Sequence, residues 1–273
     1  MVGASGAAVA KPLHTKGGDL IYASTADLLQ RYRRRELSPV EVLEAQIERY
    51  REVEPLINAC TYTHFDSARK AAEESEQRYK NKTARPLEGI TVALKDEYDV
   101  TGWITTAGSN VLKDNVATSN HPAVDKLIQA GAVLHMQTTV PEMYFAAVTW
   151  TDLWGVTRNP WNLNYTVGGS SGGSGAALAA GMTTLATGSD MGGSTRIPCA
   201  FNGLYGLKPS RGLLSTKGVV PACESLDCVS IFAPDLETLS AVAEVAGTYD
   251  PADVTQQPWA PGLRPVPGAG RGR

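Results

Sequence analysis

Glycine and serine are concentrated in one short stretch of this 273-residue sequence. Residues 168–193 contain nine of its 27 glycines, and residues 168–175 read GGSSGGSG. Such enrichment indicates backbone that lies close to another group or turns with positive φ, while a serine hydroxyl can act as a nucleophile. The stretch could therefore bind a phosphate, form a flexible linker or carry a catalytic hydroxyl.

The residues that follow the stretch disfavour the first two uses. A P-loop requires Lys followed by Ser or Thr after its last glycine, whereas Gly175 is followed by Ala176. The Gly-x-Gly-x-x-Gly spacing of dinucleotide-binding loops is not met either, since Leu178 stands where the third glycine would be. A linker would join polar flanks, but this loop runs into the apolar segment AALAAGMTTLATG. That segment is typical of a buried helix and strand, so we expect the loop to lie inside the core.

Residues Gly169–Gly173 also match the Gly-x-Ser-x-Gly pattern of the α/β-hydrolase nucleophile elbow. That machinery needs an acid and then a histidine later in the chain. All the histidines precede the loop: His14, His64, His121 and His135. A chymotrypsin-like order would leave His121 and His135 as candidates. Cap and core roles are favoured for them, because His121 begins a predicted helix and His135 lies in an apolar strand.

A lysine is the alternative base. The segment GITVALKDEYDV predicts a buried strand that ends at Lys95. Together with GGSSGGSG and the later segment GSDMGGSTRIP, it resembles the amidase signature family of serine hydrolases, from about Pro86 to Val229. The segments follow the family's order, with Ser170 75 residues after Lys95 and Ser194 24 residues after Ser170. One glycine–serine loop is weak evidence, but three segments in register are specific.

The resemblance implies a role for each matching residue. Ser194 would be the nucleophile, Ser170 a bridging serine preceded by a cis peptide bond, and Lys95 the base. The implied oxyanion hole comprises Met191, Gly192, Gly193 and Ser194, and the implied supporting residues are Ser171, Asp190 and Arg196. We expect no cofactor and no metal.

This reaction requires a lysine whose pKa lies well below its ordinary value. An amide is a poor electrophile with a poor leaving group, so the serine must lose its proton as it attacks and the amine must gain one as it leaves. The lysine pKa must therefore fall from about 10.4 toward ~7–8. The apolar run from Ile90 to Leu94 predicts the burial that lowers it. Asp96 would raise that pKa, but consecutive strand residues face opposite sides, so we expect it to point away.

The three segments do not specify the substrate. The stretch GLLSTKGVVPACESLDCVSIFA looks most like the urea-derivative (allophanate) branch of the family, whereas the core segments look more like general amidases. We rank a small linear or aryl amide first, an allophanate-like substrate second and the glutaminase subunit of a tRNA-dependent amidotransferase third. Aromatic residues predict either an acyl pocket or core packing at Tyr144, Phe145, Trp150 and Trp154.

Alternating helix and strand patterns predict the elements that position these residues. We expect an α/β fold with a mixed, largely parallel central sheet covered by helices on both faces. The predicted organisation is an N-terminal helical region (1–85), an α/β core (86–250) and a disordered Pro/Gly/Arg-rich tail (251–273). Family catalytic domains are longer, so we expect the sheet to be incomplete at the C-terminus, and a truncated, inactive binding module is the non-enzymatic alternative.

Composition excludes several other classes of protein. The net charge of −3 gives no electrostatic footprint for nucleic acid. Four cysteines without framework spacing fit a reducing compartment. The sequence contains neither an apolar run long enough for a membrane span nor a signal peptide pattern. We therefore predict a cytoplasmic protein whose partner is a small-molecule amide, with a homodimer as the candidate oligomeric state.

Overall fold

The structure is a computed structural model that describes residues 18–258. Its helical elements are α1 (Gly18–Ile21), α2 (Thr25–Arg34), α3 (Pro39–Ile57), α4 (Phe65–Lys80), α5 (Pro122–Gln129), a 3-10 turn (Glu142–Tyr144), α6 (Gly172–Ala179), α7 (Arg196–Asn202) and α8 (Leu236–Ala246). Its strands are β1 (Cys60–Thr63), β2 (Thr91–Lys95), β3 (Val133–Thr138), β4 (Trp150–Thr151), β5 (Gly155–Val156), β6 (Arg158–Asn159), β7 (Asn162–Thr166), β8 (Leu185–Ser189), β9 (Tyr205–Leu207) and β10 (Val229–Ala233).

Local sequence features fix the starts of helices α2 and α3. The Ser24 hydroxyl accepts the Asp27 N–H at 3.1 Å and caps α2. Ser38 and Glu41 form a capping box at the start of α3, where Pro39 occupies the first helical turn. These contacts satisfy N–H groups that have no partner within the helix.

Six strands form the central sheet in the order β1-β3-β2-β8-β10-β9. The central strands β3, β2 and β8 are parallel. β1 and β10 pair antiparallel to their neighbours, and β9 pairs antiparallel to β10. Four of the six strands therefore run in one direction, which confirms the predicted mixed, largely parallel α/β sheet.

Strand alternation divides the core between the two faces of the sheet. On one face, Val92 and Leu94 of β2 pack in a cluster with residues of α2, α5 and α8. On the other face, Ala93 packs in a cluster with residues of α3, α6 and α7. Because side chains alternate along a strand, Lys95 lies on the same face as Ala93 and α6.

The two ends of the described chain differ from the predicted organisation. Cys60–Thr63, within the region 1–85 predicted to be helical, forms edge strand β1. The predicted disordered tail begins at residue 251, but its described part, residues 251–258, makes hydrogen bonds to residues 212–216. Asp253 is buried and bonds the Ser215 hydroxyl, and Gln257 N–H donates to Gly212 O at 2.7 Å. A polar side chain and a backbone N–H supply these contacts where apolar periodicity is missing. Residues 259–273 lie outside the described residues.

None of the helices in residues 18–258 combines the length and the apolar character that a membrane span requires.

Candidate active site

The site lies at the carboxyl ends of two neighbouring parallel strands. Lys95 is the last residue of β2 and Ser189 is the last residue of β8. The Lys95 N–H donates to Thr187 Oγ1 at 2.9 Å, which joins the two strand ends. In open α/β sheets, this edge is where ligands bind.

The glycine–serine loop approaches this edge because it packs unusually close to the sheet. Gly173 lies in the first turn of α6, and a Cβ there would stand 2.4 Å from the Thr139 backbone nitrogen, just after β3. Only glycine allows that approach. The loop therefore enters the core, as predicted, with Ser170 and Ser171 fully buried and a cis peptide bond between Gly169 and Ser170.

The structure brings Lys95 and Ser170 into direct contact. Lys95 Nζ lies 3.0 Å from Ser170 Oγ, and the lysine side chain is fully buried. Two further oxygens contact the same nitrogen: Ser189 Oγ at 2.6 Å and Glu97 Oε2 at 2.8 Å.

Burial has a defined effect on this lysine. Removal from water disfavours the ammonium and lowers the pKa of Lys95 below its ordinary value. The Glu97 carboxylate opposes this by raising the Lys95 pKa, and Asp190 and Asp227 act in the same direction as Glu97. The net shift of the Lys95 pKa is downward.

A buried carboxylate organises the turn that carries Ser194. Asp190 accepts the backbone N–H groups of Gly193 (2.8 Å), Thr195 (3.1 Å) and Arg196 (3.2 Å). The Arg196 guanidinium adds two hydrogen bonds, at 2.8 and 3.0 Å. Although burial raises the pKa of Asp190, these donors bring it below its ordinary value. The turn is thus held by charge-assisted hydrogen bonds.

The loop and the turn meet at one small cavity. The Ser171 N–H donates to the Ser194 carbonyl oxygen at 3.1 Å. Ser170 and Ser194 both line a cavity of about 30 Å³, together with Met191 and Tyr144. Of the implied oxyanion residues, Gly193 has φ +134° and donates its N–H to Asp190, whereas a Cβ at Gly192 would meet nothing within 4 Å.

Sequence reasoning missed two polar groups at the lysine, Glu97 and Ser189. Only Asp96 was predicted from the sequence as a charged neighbour of Lys95. Asp96 does point away, as expected, and accepts the Thr106 N–H at 2.9 Å; burial raises its pKa to about 6. Strand alternation does not extend to Glu97, because β2 ends at Lys95 and Glu97 lies in the turn that follows.

The predicted aromatic residues occupy different environments. Tyr144 lines the cavity, and its ring centroid lies 4.7 Å from Lys95 Nζ. Phe145 and Trp150 are exposed, with 70% and 53% of their surface accessible. Trp154 donates its indole N–H to Thr106 Oγ1 at 3.1 Å and packs edge-on against Tyr62. Only Tyr144 of these four residues is in the lining of this cavity.

The two candidate histidines are engaged elsewhere in the fold. His121 Nδ1 accepts the Ala123 N–H at 3.0 Å and caps α5. The two ring nitrogens of His135 lie 3.2 Å and 3.0 Å from the carbonyl oxygens of Val92 and Met182, and burial lowers the pKa of this ring to about 4. Cap and core roles, which the sequence favours, account for both rings.

The fold is an α/β sheet, and its site places a buried lysine in contact with a serine at the carboxyl ends of parallel strands. The family model described as amidase matches residues 41–267. The chain therefore belongs to the amidase family, as its three sequence segments predict.

Similar proteins differ in their described activities. The chain is 38% identical over 238 residues to a glutamyl-tRNA(Gln) amidotransferase subunit of Carboxydothermus hydrogenoformans, covering 87% of this chain and 49% of that protein. It is 42% identical over 197 residues to a putative amidase, AmiB2, of Mycobacterium bovis, covering 72% of this chain and 42% of that protein. The structure of a 6-aminohexanoate cyclic dimer hydrolase with its substrate matches with a TM-score of 0.80 and 34% identity, over 90% of this chain and 50% of that one. The chain spans about half the length of the curated relatives it matches.

Proposed function

We propose that this protein hydrolyses a carboxylic amide to a carboxylate and ammonia or an amine, through an acyl-enzyme on Ser194. Lys95 acts as the base, Ser170 relays the proton, and the substrate is a small linear or aryl amide. The protein acts in the cytoplasm and needs no metal or cofactor for this reaction.

One observation carries the proposal: a fully buried lysine Nζ lies 3.0 Å from the hydroxyl of Ser170, and Ser170 shares its cavity with Ser194. The structural alternative for a lysine at a strand end is a side chain that extends to water. Burying the lysine without a polar partner would be costly. A proton relay through Ser170 accounts for the position of the buried Lys95 amine.

The residues divide the reaction between them. The neutral Lys95 amine draws the Ser170 proton while Ser170 takes the proton of Ser194, so that Ser194 Oγ attacks the amide carbonyl. Of the four implied oxyanion residues, Gly193 already donates its N–H to Asp190. The backbone N–H groups of the other three, Met191, Gly192 and Ser194, would stabilise the negative oxygen, an interaction whose loss costs about 10²–10³ in rate. Asp190 and Arg196 hold the turn, and Ser171 ties it to the loop.

A fluorophosphonate probe, which reacts with activated serines, tests the nucleophile. We expect stoichiometric labelling of the 273-residue chain, no labelling of Ser194→Ala and strongly slowed labelling of Ser170→Ala. The labelling rate should rise with pH, because burial lowers the Lys95 pKa and the neutral amine forms as the pH passes it. Ser67→Ala, which removes an exposed hydroxyl on α4, is the matched control and should label like the unmodified chain.

Failure of the well-folded chain to label would favour the non-enzymatic alternative, in which an amidase-like chain is retained for binding. Labelling at full rate in Ser170→Ala would overturn the relay.

A second candidate is glutamine hydrolysis for a tRNA-dependent amidotransferase. The 38% identity to an amidotransferase subunit favours it. A panel of glutamine, aryl amides, linear amides and allophanate, read by ammonia or amine release, separates the candidates. Release of ammonia from glutamine alone would select the second candidate. Release of ammonia or amine from the aryl or linear amides would support the first.

A further inference from the structure

A buried carboxylate stands behind the base. Glu97 Oε2 lies 2.8 Å from Lys95 Nζ, and the two side chains expose 2% and 0% of their surface. The Ser189 hydroxyl donates to the same Glu97 oxygen at 2.7 Å and contacts Nζ at 2.6 Å. With Ser170, three oxygens surround Nζ, which matches the three donors of an ammonium.

Glu97 is the carboxylate that touches the lysine. Asp190 is neutralised by Arg196, and Asp227 accepts the N–H groups of Ala222 and Cys223. Asp96 faces Thr106, and the Tyr144 ring packs over Nζ without a charge. The other carboxylates therefore act on Lys95 from a greater distance than Glu97 does.

We infer that Glu97 is a positioning residue for the base, which holds Nζ against Ser170 and stabilises the ammonium that forms during the reaction, and which thereby sets the pH range in which Ser194 is reactive. This inference rests on the proposed function. The arrangement parallels the aspartate that orients and stabilises the imidazolium in serine–histidine–aspartate triads.

Glu97 neither gains nor loses a proton during the reaction. Ser194 Oγ bonds to the acyl carbon while its proton passes to Ser170 Oγ and the Ser170 proton passes to Nζ. The carbonyl electron pair moves onto the oxygen. The resulting ammonium faces Glu97 until it returns a proton, through Ser170, to the leaving nitrogen as the carbon–nitrogen bond breaks.

The Glu97→Gln variant removes the charge and keeps the shape and one acceptor oxygen. The rise of fluorophosphonate labelling rate with pH should then move about one to three units lower, because an opposite charge in contact shifts a pKa by that much. Glu97→Asp keeps the charge but withdraws it by one methylene. In that variant the rate at high pH should fall by about tenfold or more through misplacement of Nζ, with a smaller displacement of the pH midpoint.

The matched control is Glu88→Gln. Glu88 is also buried and paired with an arginine, Arg85, but it precedes the opposite end of β2. Its removal tests the general effect of deleting a buried carboxylate, and the pH midpoint of labelling should stay unchanged.

A second measurement follows Lys95 without any reaction. The Cε resonance of ¹³C-labelled lysine, assigned by its loss in Lys95→Met, reports the ionisation of Nζ directly. Its midpoint should fall in Glu97→Gln, and an equal midpoint in both proteins would overturn the inference. A chain that fails to label but shows the shifted midpoint would retain the Glu97–Lys95 coupling and contradict the proposed function instead.

Discussion

The loop at residues 168–173 and the turn at residues 189–196 bring serines to the same cavity, but different forces hold them. The loop is held by close packing, with Gly173 pressed against the backbone of Thr139. The turn is held by hydrogen bonds and charge, centred on Asp190. Close packing fixes Ser170, the proposed relay, and electrostatics fixes Ser194, the proposed nucleophile. Substitutions in the two segments should therefore differ in the size of their effect and in its dependence on pH and salt.

Breaking the packed loop should have the largest effect. In Gly173→Ala the new methyl would overlap the Thr139 backbone at 2.4 Å, and backbone cannot move aside as a side chain can. We expect the free energy of unfolding to fall by about 3 kcal/mol or more, measured by urea denaturation. Gly175→Ala in the same helix is the control, since its Cβ would meet the Asn202 side chain at 3.1 Å, and it should cost far less.

Removing the charge at the centre of the turn should come next. Asp190→Asn removes the carboxylate that accepts five hydrogen bonds and places an amide N–H₂ against donors. We expect a loss of about 2–3 kcal/mol near neutral pH. Because donors hold the Asp190 pKa below its ordinary value, its contribution is present above the unfolded pKa and is lost as the pH falls through the folded one. The difference between the two proteins should therefore shrink in acid, and a pH-independent difference would contradict this account.

Replacing Arg196, the exposed partner of Asp190, should lower the free energy of unfolding by less. Arg196 exposes 57% of its side chain, and solvent screens such pairs. We expect Arg196→Lys, which replaces the two-pronged contact with a point charge, to cost about 1 kcal/mol or less, with the difference reduced in 1 M salt. A loss that exceeds that of Asp190→Asn would reverse the order of importance within the turn.

The smallest effect is expected where neither force acts. A Cβ at Gly192 would meet nothing within 4 Å. Gly192→Ala should therefore change the free energy of unfolding by no more than about 0.5 kcal/mol. A large loss of stability here would show that the turn is also held by packing.

Much of this arrangement could be predicted from local sequence. The strand ending at Lys95, the helix caps at Ser24 and Ser38, and the buried course of the loop follow from residue types within a few positions. The position of Cys60–Thr63 at the sheet edge, beside β3, could not, because strand pairing depends on contacts distant in the chain.

The surroundings of Lys95 show the same limit. Glu97 lies two residues after Lys95, but β2 ends at Lys95. The direction in which the Glu97 side chain points therefore depends on the turn that follows the strand. Ser189 reaches Nζ only because β8 lies beside β2. The side chains of Asp253, Thr255 and Gln256 likewise form hydrogen bonds with partners in residues 212–217. Composition alone does not reveal these partners.

The hydrogen bond from the Ser171 N–H to the Ser194 carbonyl oxygen joins the two regions just compared. It connects backbone to backbone, one residue from Ser170, the proposed relay, on one side and at Ser194, the proposed nucleophile, on the other. Thermal displacements of the two segments should therefore be correlated, so that the gap between the two hydroxyls fluctuates less than the position of either one. In the proposed relay, a proton that crosses the gap between the two hydroxyls would then travel nearly the same distance in every conformation.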